Sequence, residues 1–537
     1  MADYETDPRV NDLIDRFSRL KTHRSQWENH WNEIRQLVRV NTTDFNGGGT
    51  RGESHSDNIY DGTAPWALEQ FSAGLHSHLT NPVDRWFNLE LLAQDAAKDE
   101  ESLLWLELAS DIIYSEYSRP EATLNSSLHE VYLDIGGFGT AVLFQDYEIS
   151  RRSLVFRSFP LADCFIQEDL NGLVDTLFRR VKMSGRQISQ KFGDNLPEKI
   201  AKHKDIDKEW EVIHCVFPRA DRNADKISKT NMQFASFWLS EECKYIFAES
   251  GYHEFPYHIP RWSKLAGEIY GRSPAMTCLP DIKMINQMSK VVIKGAQKIV
   301  DPPLMVPDDG FILPIRTAPS SLMFYQPGGD KIEPLITGGR IDIGLEMMNQ
   351  RREHIIKSFF VDWILQQKNT TEMTATEVMD RREEKLRMMA PMIGRIEAEL
   401  LGVMIQRSFG LLLRNGLLPP IPPLLQQVGL EISYSSPATR AQEAGKGAQI
   451  QKFMQDLVPL AEIAPDIMDV LDTDEFARAM SNIRDVSRKI LRQPEDVAKM
   501  RAERAEQQQA QQQVEQGSQM SGSIKDLAQA EAMGGGG

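Results

Sequence analysis

Two amphipathic stripes on either side of a proline-rich insert constrain this chain more than any other feature. Ser273-Pro274 predicts a helix start, since serine is a favoured N-cap and proline suits the first helical position. Apolar residues then recur every three or four positions until Asp301-Pro302-Pro303 ends the helix. A matching stripe runs from Gly339 to Phe359. The insert 302–338 has 37 residues with seven prolines, so it cannot be helical, and we predict a small subdomain projecting from a helix pair.

A row of lysines lies along the first of these helices. Lys290, Lys294 and Lys298 are four residues apart, and residues 281–300 carry four lysines against one aspartate in a chain of formal net charge −16. One interpretation is contact with a polyanion, and the other is an ordinary solvated or subunit-pairing face. A single copy favours the second interpretation, whereas in a symmetric ring each lysine would become a ring of charges.

Further long stripes indicate oligomerisation. From Val10 to Val38 the apolar spacing predicts one long helix, in which only Arg24 interrupts the stripe. The capping box Thr374-Ala-Thr-Glu377 opens another helix, and Pro391 predicts a kink in it. If this helix continues to Arg414 it is about 60 Å long. A chain of this size rarely covers so many stripes alone, so neighbouring subunits are expected to cover them.

Between the helices the apolar period changes from near four to two. Segment 140–262 is therefore predicted to be an antiparallel β region, with a hairpin at Asn171-Gly172. Helices are expected before it, from about Pro65 to Leu79 and from 100 to 117. After the second stripe and the long helix we expect a proline-rich crossing with a β candidate at 430–434, helices over 438–491 with a break at 464–466, and a frayed or disordered tail from about 506.

Catalytic and metal-binding patterns are missing from the sequence. Gly445-Lys446 lacks the spacing and hydroxyl of a phosphate-binding loop, and Gly136–Gly139 does not open a helix as a dinucleotide fingerprint would. His76 and His78 have no partners for a zinc site. The four cysteines show no paired spacing, so reduced structural thiols are expected. We predict that the chain is not an enzyme and uses no cofactor or metal.

The composition and apolar stretches bound the remaining possibilities. The first ten residues lack the basic start and apolar run of a secretory signal, so no export is expected. No apolar stretch approaches the roughly 20 residues of a membrane helix, which predicts a soluble protein without membrane contact. The acidic balance argues against tight DNA binding, because phosphate affinity comes mainly from Lys and Arg.

Four short motifs in order show a resemblance to a known family. The chain resembles the head-to-tail connector, or portal, proteins of short-tailed bacteriophages over nearly its whole length. The motifs are Ala64-Pro65-Trp66 leading to Leu79, Pro82 and Arg85-Trp86-Phe87; Gly136-Gly-Phe-Gly139 before Ala-Val-Leu-Phe; Tyr270-Gly271-Arg272-Ser273; and Thr374-Ala-Thr-Glu377.

The resemblance implies a helix-rich α+β, portal-type fold that assembles as a ring. By analogy the chain would divide into a wing, a two-helix stem, a small α/β clip and a helical crown. The implied boundaries are wing 1–272, first stem helix 273–301, clip 302–338, second stem helix 339–362, tunnel loop 363–373, long kinked wing helix and crossing 374–436, crown 437–495 and a Gln/Gly-rich tail 496–537.

The same resemblance implies a function and partners. A portal is a non-enzymatic ring, usually of twelve subunits, at one capsid vertex, through which double-stranded DNA is packaged and ejected without sequence specificity. Its implied partners are the major capsid protein, a scaffolding protein, the large terminase and tail adaptor or nozzle proteins, with assembly in the host cytoplasm.

Two sets of residues are expected to meet the DNA in such a channel. The stem lysines Lys290, Lys294 and Lys298 would supply sparse phosphate contacts. The tunnel loop would touch DNA through a polar, nearly uncharged run consisting of Gln366, Gln367, Lys368, Asn369, Thr370 and Thr371. Two alternatives stay open: another structural protein of the virion core or tail, or a non-ATPase subunit of a DNA-processing complex.

Overall fold

The structure is a computed structural model, and the description below covers the residues whose placement is defined. These are residues 7–40, 42–45, 56–83, 85–91, 100–193, 196–223 without 202 and 204, 228–305, 333–335, 341–364, 389–425 without 424, 430–434, 452–456 without 454, 472–483, 492 and 496–507. They fall into two compact units. One is built from the described residues of 1–86 and 111–418, the other from those of 87–110 and 419–537.

Helices and strands alternate in blocks, as expected for the predicted helix-rich α+β class, which is confirmed. The helices up to residue 364 are α1 (Pro8–Leu37), α2 (Thr63–Leu79), α3 (Glu100–Tyr117), α4 (Leu124–Phe138), α5 (Gly185–Phe192), α6 (Glu198–Ala201), α7 (Pro274–Val300), α8 (Ile341–Ser358) and α9 (Val361–Ile364). The strands are β1 (Phe87–Leu91), β2 (Val142–Glu148), β3 (Ser153–Phe159), β4 (Cys164–Glu168), β5 (Val174–Ser184), β6 (Glu209–Pro218), β7 (Phe234–Ser240), β8 (Tyr245–Tyr252), β9 (Tyr257–His258), β10 (Leu304–Met305), β11 (Glu333–Pro334) and β12 (Leu430–Tyr434).

The predicted antiparallel β region forms two sheets in the first unit. Five strands run in the order β4-β5-β6-β7-β8, and three run in the order β3-β2-β9. The hairpin predicted at Asn171-Gly172 joins β4 to β5, and Gly172 has a φ of +79°, a conformation that favours glycine. Asp169 closes this turn by accepting hydrogen bonds from the backbone N–H groups of Asn171 and Leu173.

One face of the five-stranded sheet is covered by α1. Leu13, Phe17 and Leu20 pack on strand residues such as Phe165 and Phe178, and together they form a buried cluster. Phe17 contacts Phe165 edge to face, with ring centroids 4.8 Å apart. The stripe read from the sequence therefore is the packing face of this helix.

Arg24 does not interrupt that stripe, contrary to the sequence interpretation. Its side chain is 1% exposed. The guanidinium lies 3.7 Å from the centre of the Phe165 ring and pairs with Glu28. It also donates to the carbonyl oxygens of Leu161, Ala162 and Cys164. A buried cation is tolerated here because its donors and charge are all compensated.

Helix α4 was not predicted from the sequence. It has Gly136 and Gly137 in its last turn, and Thr123 precedes it with a positive φ of 55°. Glycines are weak helix formers, but a Cβ at Gly136 would lie 2.6 Å from a side-chain carbon of Leu68. The glycines therefore let α4 pack closely on α2.

The long helix before residue 414 contains an irregular turn. Residues 389–396 are α-helical, Glu397–Leu401 form a π-helical turn, and an α-helix continues over Gly402–Arg414. Within the described residues the helix thus has a π-helical turn at 397–401. Residue 387, the helical hydrogen-bond position opposite Pro391, lies outside them, so the kink at Pro391 stays a prediction. The capping box at 374–377 lies outside the described residues.

The second unit contains a pair of strands that are distant in sequence. β1 and β12 are antiparallel, with Phe87 opposite Tyr434 and Leu91 opposite Leu430. This confirms the β candidate at 430–434. A helix spans Thr473–Ile483, and residues 496–507 are also helical. The predicted break at 464–466 and most of the predicted tail lie outside the described residues.

Candidate subunit-interface and channel site

Helix α7, the predicted first stem helix, is anchored where two of the sequence motifs meet. Ser273 Oγ accepts a hydrogen bond from the Met276 N–H, as an N-cap should, and donates to the carbonyl oxygen of Gly137. The Gly271 N–H donates to Thr140 Oγ1 at 2.8 Å. The glycine turn at the end of α4 and the Tyr-Gly-Arg-Ser motif therefore form one joint at the start of α7.

The approach of the two backbones at this joint excludes side chains. Gly139 has a φ of +78°, and a Cβ built on it would lie 2.4 Å from the carbonyl oxygen of Gly271. A Cβ on Gly271 would lie 2.3 Å from the carbonyl oxygen of Gly139. Both contacts are with backbone atoms, so neither can be relieved by a rotamer change.

Helices α7 and α8 lie at the positions of the two sequence stripes, and polar contacts tie them together. Asp281 on α7 accepts from Arg351 at 2.8 Å and lies 2.7 Å from His354 Nδ1 on α8. Gly344 on α8 lies against Val292 on α7, where an added Cβ would be 3.6 Å from a valine methyl group. The pair is therefore a packed helical hairpin.

A third segment braces the hairpin. Asp61 forms an ion pair with Arg352 of α8 at 2.8 Å and accepts a hydrogen bond from the backbone N–H of Thr63. Burial alone would raise the pKa of Asp61. The hydrogen bonds from Thr63 and Arg352 lower it by more, so the pKa of Asp61 lies below its usual value. Asn286 of α7 holds the same segment, accepting from the Tyr60 N–H and donating to the Asn58 carbonyl oxygen.

The ends of the proline-rich insert meet at the far end of α7. β10 and β11 are antiparallel, with Leu304 opposite Pro334 and Met305 opposite Glu333. The Leu335 N–H donates to the Pro303 carbonyl oxygen at 2.8 Å. The insert thus leaves and returns through one short ladder, whereas its two predicted β runs at 311–313 and 322–325 lie outside the described residues.

The three stem lysines differ in their surroundings. Lys290 is half-buried, with its Nζ 5.1 Å from the centre of the Tyr60 ring, a cation–π arrangement. Lys294 and Lys298 are exposed, and no carboxylate in the described part of the chain lies within ion-pair distance of them. Two of the three charges are therefore free to meet an external partner.

Beside this basic row, α7 exposes large apolar side chains that the sequence interpretation missed. Met284 is 45% exposed and Val291 is 59% exposed, and these residues are two helical turns apart on one edge of the helix. Leu345 on α8 is 47% exposed. Apolar spacing along a helix does not distinguish residues that pack in the core from those that face outwards, because this depends on the neighbouring elements.

The predicted tunnel loop and its six site residues, Gln366 to Thr371, lie outside the described residues. The described part of this stretch ends with α9. The helical structure is interrupted between α8 and α9, where Phe360 has a φ of 58°. Helix α8 therefore ends at Ser358, before the boundary of residue 362 that was predicted for the second stem helix.

Within the ranges described above, no group of three or more His, Cys, Asp or Glu side chains is arranged to hold a metal ion. In the same ranges, no helix combines the length and apolar character needed to cross a membrane.

A family model identifies the class of protein. Residues 10–491 match the model described as "Bacteriophage head to tail connecting protein". The chain belongs to this family of structural connectors in phage particles, which confirms the family and the connector function predicted from the motifs.

Two relatives give the particular kind of connector to which the chain is similar. It is 30% identical over 528 residues to a "Probable portal protein" of Bordetella phage BPP-1, covering 93% of this chain and 92% of the relative. It is 28% identical over 538 residues to the "Portal protein" of Salmonella phage epsilon15, covering 96% and 95%.

Solved structures give more distant matches. The neck of an empty gene transfer agent (GTA) particle, computed with C6 symmetry, matches with 11% identity and a TM-score of 0.38, covering 84% of this chain and 92% of that one. A chain from the virion of a native gene transfer agent particle matches with a TM-score of 0.36 and 11% identity, covering 78% and 94%.

Proposed function

We propose that twelve copies of this chain form a portal ring at one capsid vertex, and that double-stranded DNA passes through its channel during packaging and ejection. Membership of the connector family and the two relatives named as portal proteins support this role. Assembly takes place in the host cytoplasm, together with the major capsid protein and a scaffolding protein.

The observation that carries the proposal is the α7–α8 hairpin, which exposes both large apolar side chains and two lysines. The apolar edge, Met284 and Val291, packs on Leu345 of the next subunit. A contact between different surfaces of identical subunits closes into a ring when the rotation permits. Lys298 lies two turns beyond Val291 on the same edge, and Lys294 lies about 60° around the helix from Val291. Both lysines then face the channel, while Lys290 is set back against Tyr60.

The remaining segments have the roles that the family resemblance implies. The insert 302–338 is the clip that meets the large terminase and later the tail adaptor or nozzle proteins, since its described ends, β10 and β11, pair at the end of α7. Segment 363–373 is the tunnel loop, with the polar residues Gln366 to Thr371 against the DNA. Residues 437–495 form the crown.

Charge explains why such a channel can pass DNA. Twelve copies at −16 give a formal charge of 12 × (−16) = −192, which repels DNA from most of the ring. Contacts from two lysines per subunit are then weak and independent of sequence.

The ring is tested by the mass of the purified protein. Mass photometry should give a particle near twelve times 61.1 kDa, with a central hole in negative-stain images. Val291→Glu should shift the population to small species. The matched control is Leu170→Glu, because Leu170 is fully exposed in the β4–β5 turn and its substitution should leave the ring intact. If Val291→Glu forms rings as well as the wild type does, the apolar edge is not part of the subunit interface.

The channel lysines are tested separately. Lys294→Gln with Lys298→Gln should lower the slope of DNA affinity against salt by roughly 1 for each lysine that contacts phosphate. In assembled particles the same variant should alter the amount of DNA packaged or retained. Lys182→Gln, on an exposed position of β5, is the control. Unchanged salt dependence, packaging and retention would exclude the lysines from the channel.

A further inference from the structure

Three cationic side chains converge in the first unit, away from the stem. Arg157 lies on β3, Arg179 on β5 and Lys191 on α5. The Arg179 guanidinium is 3.7 Å from the centre of the Phe159 ring, and Arg157 lies two residues before Phe159 on the same face of β3. Lys191 Nζ lies 3.2 Å from the centre of the Trp238 ring, and Arg179 is 5.9 Å from the same ring.

The strand register explains this convergence. Arg179, His214 and Trp238 lie opposite one another on adjacent strands β5, β6 and β7, so they share one face of the sheet. His214 and Trp238 are stacked with ring centres 4.1 Å apart. This face lies opposite to the one that α1 covers. This face therefore presents the stacked rings of His214 and Trp238 next to the three positive charges.

None of the three cations has an ion-pair partner among the residues that the structure describes. Asp163 is near enough to affect Arg179 and Asp146 is near enough to affect Arg157. However, Asp163 lies 4.0 Å from Arg180, and Asp146 lies 3.7 Å from Arg407. Each nearby carboxylate is thus shared with another arginine, and the cluster keeps an excess of positive charge.

The positive charges of the cluster repel one another. Burial, and then the charges of Arg179 and Arg157, lower the pKa of Lys191 to about 8. Arg179 is half-buried, and its Nε is buried without a hydrogen-bond partner in the described residues. Its one polar contact within the cluster is with the Tyr257 hydroxyl. Arg35, Arg219 and Arg395 also have a buried side-chain nitrogen without a partner in the described residues, so the orphaned Nε of Arg179 supports a ligand site only together with its two neighbouring cations.

We propose that Arg157, Arg179 and Lys191 form a binding site for a phosphate-type dianion. Three converging cations match a group that carries a charge near −2 better than a carboxylate or a phosphodiester with a charge of −1. A guanidinium supplies directed donors to phosphate oxygens, and the lysine adds a point charge. Arg157 is exposed and Lys191 is partly exposed, so the site is open to solvent.

The site is tested by the reactivity of Lys191 in the purified full-length protein. An amine-acylating reagent at pH 8 reacts with the neutral amine, so Lys191 should be modified faster than Lys182, as measured by peptide mass spectrometry. Inorganic phosphate or sulfate at constant ionic strength should slow the modification of Lys191 by about tenfold at 10 times the dissociation constant. The modification of Lys182 should not change.

Variants and competing anions separate the outcomes. Arg157→Gln should raise the phosphate concentration needed for half-protection by about tenfold, the effect of one lost charge-assisted contact. Arg186→Gln, an exposed residue of the same helix as Lys191, should leave that concentration unchanged. Protection by chloride or acetate equal to that by phosphate, protection only by duplex DNA, or equal protection in wild type and Arg157→Gln would each overturn the proposal.

Discussion

Arg261 and Glu399, which are 138 residues apart in the chain, form a two-point ion pair in the first unit. Arg261 Nη2 donates to Glu399 Oε1 at 2.6 Å, and Nε donates to Oε2 at 3.1 Å. The backbone N–H of Arg261 also donates to Oε2. The guanidinium makes further contacts with Glu168 and with the Gly172 carbonyl oxygen. Arg261 is 1% exposed, and Glu399 lies within the π-helical turn.

This pair predicts that Glu399→Ala strongly destabilises the protein. Removing Glu399 leaves a buried guanidinium with part of its charge uncompensated, which costs about 3 kcal/mol or more. The expected fall in Tm is several degrees, measured by differential scanning fluorimetry. Glu241→Ala, an exposed residue in the β7–β8 turn, should change the Tm by less than about 1 °C. Equal Tm values for the two variants would mean that the pair contributes nothing.

The glycine joint at the start of α7 predicts a large difference between two similar substitutions. Gly139→Ala combines a positive φ with a backbone clash, whereas Gly267→Ala has a φ of +84° with no atom within 4 Å of the new Cβ. Gly267→Ala should cost about 1 kcal/mol from backbone strain alone. Gly139→Ala should cost clearly more, because Gly271 must also move. The measurement is the denaturation midpoint of each variant. Equal midpoints would contradict the close packing of Gly139 against Gly271.

The contacts of Asp281 predict local loosening of the helical hairpin. Asp281→Asn removes the charge that binds Arg351 and His354, and the loss should be about 1 kcal/mol because both partners are partly exposed. Hydrogen exchange of peptides from α8 should accelerate about fivefold. Asp301→Asn, an exposed residue just after α7, is the control. Unchanged exchange in α8 would show that apolar packing alone holds the pair.

Two buried histidines predict that acid lowers stability. His258 is fully buried, with Nε2 2.7 Å from the Gln145 side-chain amide, and His214 is 2% exposed between Tyr257 and Ser236. Burial, followed by the charge of Arg407, lowers the pKa of His258 to about 3. Burial also lowers the pKa of His214 well below its usual value. The unfolded chain, with histidine pKa values near 6.5, therefore binds more protons than the folded protein between about pH 3 and 6.5.

Stability from these histidines should be full above about pH 6.5 and should fall as the pH is lowered below it. Asp134 acts in the opposite direction, because burial raises its pKa to about 6 and the folded state binds its proton first. His258→Gln isolates the histidine effect: its denaturation midpoint should fall less between pH 7 and 4.5 than that of the wild type. His253→Gln, at an exposed position, should keep the wild-type slope. If the denaturation midpoint changes equally with pH in the wild type and both variants, His258 does not contribute to the acid sensitivity.

Several features of this protein were determined by the sequence alone because they depend on neighbouring residues. Helices α1 and α7 follow from apolar spacing, and the cap at Ser273 with Pro274 sets the start of α7. The hairpin at Asn171-Gly172 follows from turn chemistry. The connector family also could be predicted, since short motifs keep their order along the chain.

Other features were decided only by the tertiary structure, because they depend on partners that are distant in sequence. Arg24 is a core residue because three carbonyl oxygens and Phe165, over 130 residues away, receive its guanidinium. Helix α4 forms despite its glycines because α2 lies against them. Lys290 differs from Lys294, although both belong to one row, because only Lys290 meets Tyr60. Local pattern determines which element forms, but burial and charge pairing are properties of the surroundings that the folded chain brings together.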